Sequence, residues 1–362
     1  LVHTHPGGQP GPSVQDLEGE AALRPVLHER LAGLPHGRLI LRPDGLDAAL
    51  FVGERHTVPL EVQSVGEQLR IFRENDTDID RLAETYQRQA LAFGEPGQRQ
   101  LRRLRIGVVG AGGTGSLVLQ QLAHLGVQHF TIIDHDVLER TNLNRVVGTV
   151  AADVGRPKVE VATRVVHNIN PDAVVQALQA DVTDPLVLRR LLDTDVVLIC
   201  TDSHGSRALL SQLAYQYLLP MINVGVSVLA DSERGTQVQG VVHLLAPGLA
   251  CLDCTGDLDP GKVMEELQTE AERQANPYIS GAAVTQPAVI SLNSVVAGLG
   301  VSLLLSTVTE MPLQARRLLL RLSEGSLQPG ENRGRRGCPT CSNSPESRLA
   351  QGDRWTRPGR SR

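Results

Sequence analysis

Six residues constrain this chain more than any others. Gly110-Ala111-Gly112-Gly113-Thr114-Gly115 follow the apolar run Ile106–Val109 directly and open a helical pattern in which Leu117, Leu122 and Leu125 share a face. Glycines in that place let the backbone turn sharply and approach a polyphosphate, whose charge sits among the free N–H groups of the helix N-terminus. Asp134 closes the next apolar run, where a carboxylate can take a ribose hydroxyl. The runs Phe130–Asp134, Ala173–Leu178, Val196–Cys200 and Met221–Val224 alternate with helical segments of about 10–15 residues, which predicts a doubly wound, mostly parallel α/β sheet. Gln237–Leu245 reads as a later, antiparallel strand. Pro287–Leu305 is a long apolar helix with no clear polar face and is expected to be buried. Aromatic residues are only 2% of the chain, so Leu, Val, Ile and Ala must build this core. By itself the glycine loop suits an NAD(P)-dependent oxidoreductase as well as an ATP-using enzyme.

The stretch after Asp134 separates the two. Asp134-His135-Asp136-Val137-Leu138-Glu139-Arg140-Thr141-Asn142-Leu143-Asn144-Arg145 resembles the D-x-D-x-V-x-x-S-N-L-x-R signature of the ThiF/MoeB and ubiquitin-activating-enzyme superfamily. Gly155-Arg156-Pro157-Lys158 is similar to that family's G-x-x-K element, Asn168-Ile169-Asn170-Pro171 to its I-N-P, and Cys200-Thr201-Asp202 to its C-T-D-N, with Ser203 in the last place. A hydride-transfer site needs no such cluster of Asn, Arg and Lys, whereas a triphosphate does. Only two lysines occur in the chain, Lys158 and Lys262, which makes the one inside a motif more telling. The resemblance implies roles. Gly110, Gly112, Gly113 and Gly115 would approach the ATP phosphates, and Asp134 would hold the ribose with Asp136 beside it. Asn142 and Arg145 would contact the phosphates, Lys158 would neutralise charge developing on them, and Asp202 would bind Mg2+. Tyr86-Gln87-Arg88-Gln89 resembles the family's R-Y-x-R-Q element, with Thr85 replacing its first arginine, and implies a homodimer in which Arg88 reaches the neighbour's ATP site. The activity implied is adenylation of the C-terminal glycine of a ubiquitin-like or sulfur-carrier protein, with release of pyrophosphate and catalysis that is chiefly electrostatic. A non-catalytic binding scaffold is the third reading, disfavoured by the presence of Asn142, Arg145, Lys158 and Asp202 together.

Cys251-Leu252-Asp253-Cys254 and Cys338-Pro339-Thr340-Cys341 are two C-x-x-C pairs, which together can close a structural zinc site of four thiolates. Redox-active pairs are the alternative. MoeB-like proteins carry the same two knuckles. Cys200 ends an apolar strand and reads as a small core residue. No cysteine lies in Thr255–Ser280, where many relatives form a thioester, so adenylation alone is expected.

At the N-terminus, His3-Thr4-His5-Pro6, six further residues and Ser13-Val14-Gln15-Asp16 resemble the H-x-H-P-x₆-S-x-x-D motif of JAB/MPN metalloproteases. The resemblance implies a second zinc on His3, His5 and Asp16, an oxyanion steadied by Ser13, and isopeptidase activity in a parent protein. Leu1 falls inside the motif, so the chain reads as part of a longer one. The expected organisation is a truncated α+β JAB/MPN-like segment over 1–74, an activating domain over 75–342 and a disordered tail over 343–362. In the first segment a helix near Val14–Leu34 precedes strands at Arg38–Leu41, Ala48–Val52 and Val58–Val62. A net charge of −5 argues against a whole-chain nucleic-acid binder. The absence of a signal-peptide pattern and of a continuous apolar run of about 18 residues leads us to expect a cytoplasmic protein with no membrane partner.

Overall fold

The computed structural model describes residues 1–7, 11–42, 45–53, 56–73, 84–231, 235–268 and 287–354. Its contacts divide it into two units, Leu1–Ser64 with Leu69–Arg81, and Val65–Gln68 with Leu82–Arg362.

In the first unit, β1 (Val2–Thr4), β2 (His36–Leu41), β3 (Leu46–Val52) and β4 (His56–Pro59) form a sheet in that order. β1 pairs parallel with β2 because helix α1 (Val14–Arg30) makes the crossover, while β2, β3 and β4 pair antiparallel. Ser13 and Asp16 form a reciprocal capping box that starts α1. The strand expected over Val58–Val62 is instead divided. β4 stops at Pro59, and Val62–Val65 forms β5, which pairs with β6 (Leu69–Phe72) in a separate ribbon. Proline supplies no N–H with which to continue a ladder.

The second unit opens with α2 (Gln87–Arg103), kinked at Phe93 and Gly94. Then come β7 (Arg105–Val109), α3 (Gly113–His124), β8 (His129–Ile133), α4 (Lys158–Ile169), β9 (Val174–Leu178), α5 (Pro185–Arg189), β10 (Val196–Ile199), α6 (His204–Gln216), β11 (Met221–Asp231), β12 (Gly235–Leu245), α7 (Pro260–Glu266), α8 (Ile290–Val308), β13 (Arg317–Arg321) and β14 (Ser326–Pro329). One eight-stranded sheet has the order β14-β13-β12-β11-β10-β7-β8-β9. Pairing is parallel from β11 to β9 and antiparallel from β11 to β14. The chain steps outward from β7 to β8 and β9, then returns to lay β10 on the opposite side of β7. That reversal opens a crevice at the C-terminal ends of β7 and β10, the place where such sheets bind ligands. β10 is wholly buried, as a central parallel strand must be.

Two expectations need correction. The strand read at Met221–Val224 runs on to Asp231, because its antiparallel partner β12 pairs with it along its whole length after the apolar run has ended. Nor does a structureless tail begin at residue 343. The Ala350 N–H donates to the Tyr215 carbonyl (3.0 Å), the Gln216 amide donates to the Gly352 carbonyl (2.8 Å), and Ser347 is buried. Asp353 accepts hydrogen bonds of 2.7 Å from both Arg189 and Tyr217. Turns held by such bonds leave no hydrophobic period to read. The rest of the expected tail lies outside the described residues. Helix α8 has 19 residues and is apolar enough to cross a membrane, but it packs against α3, β11 and β12 as a core helix.

Candidate active site and tetracysteine centre

The glycine loop is built for close approach. Gly110 has φ +93°, and a Cβ there would lie 2.9 Å from the backbone of Cys200 and Thr201. A side chain at Gly115 would collide with the Gly110 carbonyl. Gly112 caps α3 without a side chain and faces open space, so the first-turn N–H groups have no side-chain cap and are free for an anion. Asp134, which is buried, braces the loop from below. Its Oδ2 accepts from the Ala111 N–H (2.7 Å) and its Oδ1 from the Asp136 N–H (2.8 Å). Each oxygen keeps a lone pair for a ribose hydroxyl.

On the β8 side of the crevice, the Lys158 Nζ donates to Asp136 Oδ2 at 2.6 Å, and His135 Nε2 lies 3.2 Å from Asp136 Oδ1. Asn142 is buried with its Oδ1 accepting from the Glu139 N–H (3.1 Å), which shapes the turn carrying Arg145. Arg145 Nη1 donates to the Thr141 carbonyl (2.7 Å), and its aliphatic stem passes Gly113. Across the crevice, Asp202 is exposed after β10, beside Thr201, whose carbonyl accepts from Arg207 Nε at 2.9 Å. Ser203, standing where the family motif has Asn, caps α6 by accepting from the Ser206 N–H (3.1 Å). The structure therefore gathers the four loop glycines, Asp134, Asp136, Asn142, Arg145, Lys158 and Asp202 around one crevice. Arg88 is not among them. It is exposed in the first turn of α2 and has no polar partner among the described residues.

Three residues at this site escaped the sequence reading. Arg207 holds the Asp202 loop, and burial lowers its pKa against the opposing pull of Asp202. Glu266 of α7 accepts from the Ser203 hydroxyl and the Gly205 N–H, both at 2.6 Å. Asn293 of α8 is buried, and its Nδ2 occupies the space that a Cβ on Gly113 would need. Its one legible signal was a carboxamide inside an otherwise apolar helix.

The four cysteines of the two C-x-x-C pairs converge. All four Sγ atoms lie within 4.8 Å of one another, with Cys251–Cys338 and Cys254–Cys341 each at 3.6 Å. A tetrahedron of zinc–sulfur bonds of about 2.3 Å sets neighbouring sulfurs about 3.8 Å apart, so this donor set fits zinc. The close sulfurs come from different pairs, unlike a redox C-x-x-C. Burial opposes ionisation of Cys254, but the Arg335 N–H on its sulfur (3.2 Å), with hydrogen bonds from the side chains of Cys338, Arg335 and Cys341, outweighs burial and lowers it to about 7. Cys200 is different. Burial pushes its thiol up to about 12, consistent with an unreactive core residue. Beside the cysteines, Asp257 accepts from Arg317 Nη2 (2.6 Å) and the Thr255 hydroxyl (2.7 Å), and buried His243 stands 3.6 Å away.

In the first unit, His3 Nε2, His5 Nε2 and the Asp16 carboxylate also converge. The two nitrogens are 3.2 Å apart, with Asp16 oxygens 3.2 Å from His3 and 2.9 Å from His5. Hydrogen bonds from the Ser13 hydroxyl (2.6 Å) and N–H (2.7 Å) lower the Asp16 pKa to about 2, so the carboxylate is ionised and aimed.

Comparison with known proteins places the second unit. The ThiF family model matches residues 86–338. The chain is 34% identical over 161 residues to the SAMP-activating enzyme E1 of Haloferax volcanii, covering 44% of this chain and 56% of that one. It is 32% identical over 167 residues to the adenylyltransferase and sulfurtransferase UBA4 of Eremothecium gossypii, covering 46% and 36%. The matched stretch thus spans about half or less of those relatives. Among solved structures, E. coli MccB with ATP aligns with a TM-score of 0.57 at 21% identity, covering 72% of this chain and 75% of that one. PaaA aligns with a TM-score of 0.54 at 21% identity, covering 72% and 87%. At that identity the likeness is one of fold.

Proposed function

The chain belongs to the ThiF family, and from that premise we propose that it adenylates the C-terminal carboxylate of a ubiquitin-like or sulfur-carrier protein with ATP. A carboxylate oxygen of the carrier attacks the α-phosphorus, the bond to the β,γ-pyrophosphate breaks, and an acyl-adenylate forms without net proton transfer. The observation that carries the reading is the crevice itself, with Gly110–Gly115 and Lys158 on one side of the switch point and Asp202 on the other. Lys158 and Arg145 would offset charge building on the phosphates, and free N–H groups of α3 would hold them without reorganising. Mg2+, held by Asp202, would neutralise the departing pyrophosphate. Family membership sets aside the NAD(P)-dependent oxidoreductase reading, and the intact cluster of charged residues weighs against a non-catalytic scaffold.

The named relatives, an activating enzyme for SAMP and an adenylyltransferase, are the source of the carrier assignment. The decisive experiment is carrier-dependent exchange of pyrophosphate into ATP. Wild-type protein exchanges, and Asp202→Ala folds normally but does not. Full exchange by that variant would remove Asp202 from the mechanism, and NAD binding without exchange would overturn the reading.

Three finer assignments belong to the same proposal. Cys251, Cys254, Cys338 and Cys341 hold a structural zinc. The protein acts as a homodimer with Arg88 completing the neighbour's site. His3, His5 and Asp16 hold a second zinc of JAB/MPN type, supported by their convergence, with Ser13 beside it and isopeptidase activity assigned to a longer parent. Four of the five cysteines arranged as a metal-binding set favour a reducing compartment and hence the cytoplasm.

A further inference from the structure

Asn293 is a polar residue with no structural task. It lies in the first turns of α8, a helix otherwise built of apolar and small residues that packs on α3, β11 and β12. The residue is 4% exposed, and its carboxamide makes no hydrogen bond among the described residues. Its backbone N–H is already satisfied by the Val289 carbonyl (3.1 Å), so the side chain is not a cap. An enclosed polar side chain that no other protein group engages calls for an explanation.

Its position supplies one. The Nδ2 lies against Gly113, so close that any Cβ there would meet it, and the Arg145 stem passes the same point at 3.2–3.3 Å. Gly113 is the first residue of α3, whose opening N–H groups have no side-chain cap. Two kinds of donor therefore converge, peptide N–H groups of a 12-residue helix and an unpartnered carboxamide, with the stem of Arg145 beside them. Gly113 lacks a side chain so that α8 can reach the loop.

We propose that Asn293 is a phosphate-positioning residue, donating from Nδ2 to the polyphosphate of ATP at the N-terminus of α3. The inference rests on the adenylation reading and adds a donor from the far C-terminal part of the chain. A neutral donor suits this place, because it orients the phosphates without adding a charge that would hold pyrophosphate after the bond has broken.

The test compares binding of a non-hydrolysable ATP analogue with Mg2+ and binding of adenosine to the full chain, by calorimetry, alongside thermal melting. Asn293→Ala should weaken the ATP analogue about tenfold while leaving adenosine within about twofold, the loss expected for one hydrogen bond to a charged group. Asn293→Asp keeps the shape and puts a negative charge at a helix N-terminus. It should not lower the melting temperature of the free protein, because that end of the helix favours anions, yet it should weaken the ATP analogue more than alanine does. If alanine fails to fold, the aspartate variant carries the comparison. Equal losses for ATP analogue and adenosine, or ATP affinity within twofold of wild type in the folded variants, would overturn the assignment. Failure of wild-type protein to bind ATP would instead overturn the adenylation reading, and this inference with it.

Discussion

At the residue scale, the neighbouring glycines of the loop do different physical work. Gly110 has φ +93° and no room for a Cβ, so Gly110→Ala combines backbone strain with a clash against Cys200 and Thr201. We expect it to lose about 2–4 kcal/mol of stability, read as a lower urea midpoint. Gly112 has an extended conformation and open space, so Gly112→Ala should fold within about 0.5 kcal/mol of wild type yet bind ATP weakly, because the methyl group stands where phosphate approaches. Equal stability loss in both variants would contradict this division. Asp257 supports a pH prediction. Burial opposes its ionisation, but His243, Arg317 and Thr255 outweigh burial and lower its pKa to about 2. A depressed folded pKa contributes stability above the unfolded value near 3.8 that is lost as pH falls through about 2. That contribution is about 2 kcal/mol. Asp257→Asn should lower stability at pH 7 and flatten its dependence between pH 4 and 2, as followed by denaturant titration at each pH.

At the element scale, the two cysteine pairs join segments that the chain keeps far apart. Cys251 follows β12 and Cys338 follows β14, and Tyr215 of α6 donates its hydroxyl to the carbonyls of Leu249 (3.0 Å) and Ala250 (2.8 Å) beneath them. A closed thiolate site contributes its binding free energy directly to folding. Cys254→Ser, and separately a strong chelator, should remove one equivalent of zinc and lower the melting temperature together. Zinc loss with no change in melting would show that the cysteine-bearing segments fold without it. The Glu266 contact on Ser203 and Gly205 also operates at this scale, since it ties α7 to the turn that presents Asp202.

For the whole molecule, the proposed homodimer is the central issue. Arg88 is exposed on α2, without a polar partner among the described residues, and its always-charged fork suits transition-state charge on a phosphate. A symmetric pair would present each Arg88 to the other subunit. Mixing Arg88→Ala with Asp202→Ala, each inactive alone, should restore carrier-dependent exchange in heterodimers that contain one intact composite site. No recovery after verified subunit exchange would exclude a finger acting in trans.

The sequence by itself determined the local elements of the nucleotide site. Glycine spacing after an apolar run, an acidic residue at the end of the next, and the Asn142, Arg145 and Lys158 series are short-range patterns, and strand–helix alternation sets a parallel sheet wherever it occurs. The cysteine pairs were equally legible, because two thiolates three residues apart form half of a zinc site before any folding. Tertiary structure alone decided what meets across long separations. It put Asp202 opposite the glycine loop by laying β10 on the far side of β7, carried β11 to Asp231 through pairing with β12, and folded residues 343–354 back onto α6. It also brought Asn293 to Gly113, 180 positions apart, where packing of a helix face rather than any local pattern sets the contact.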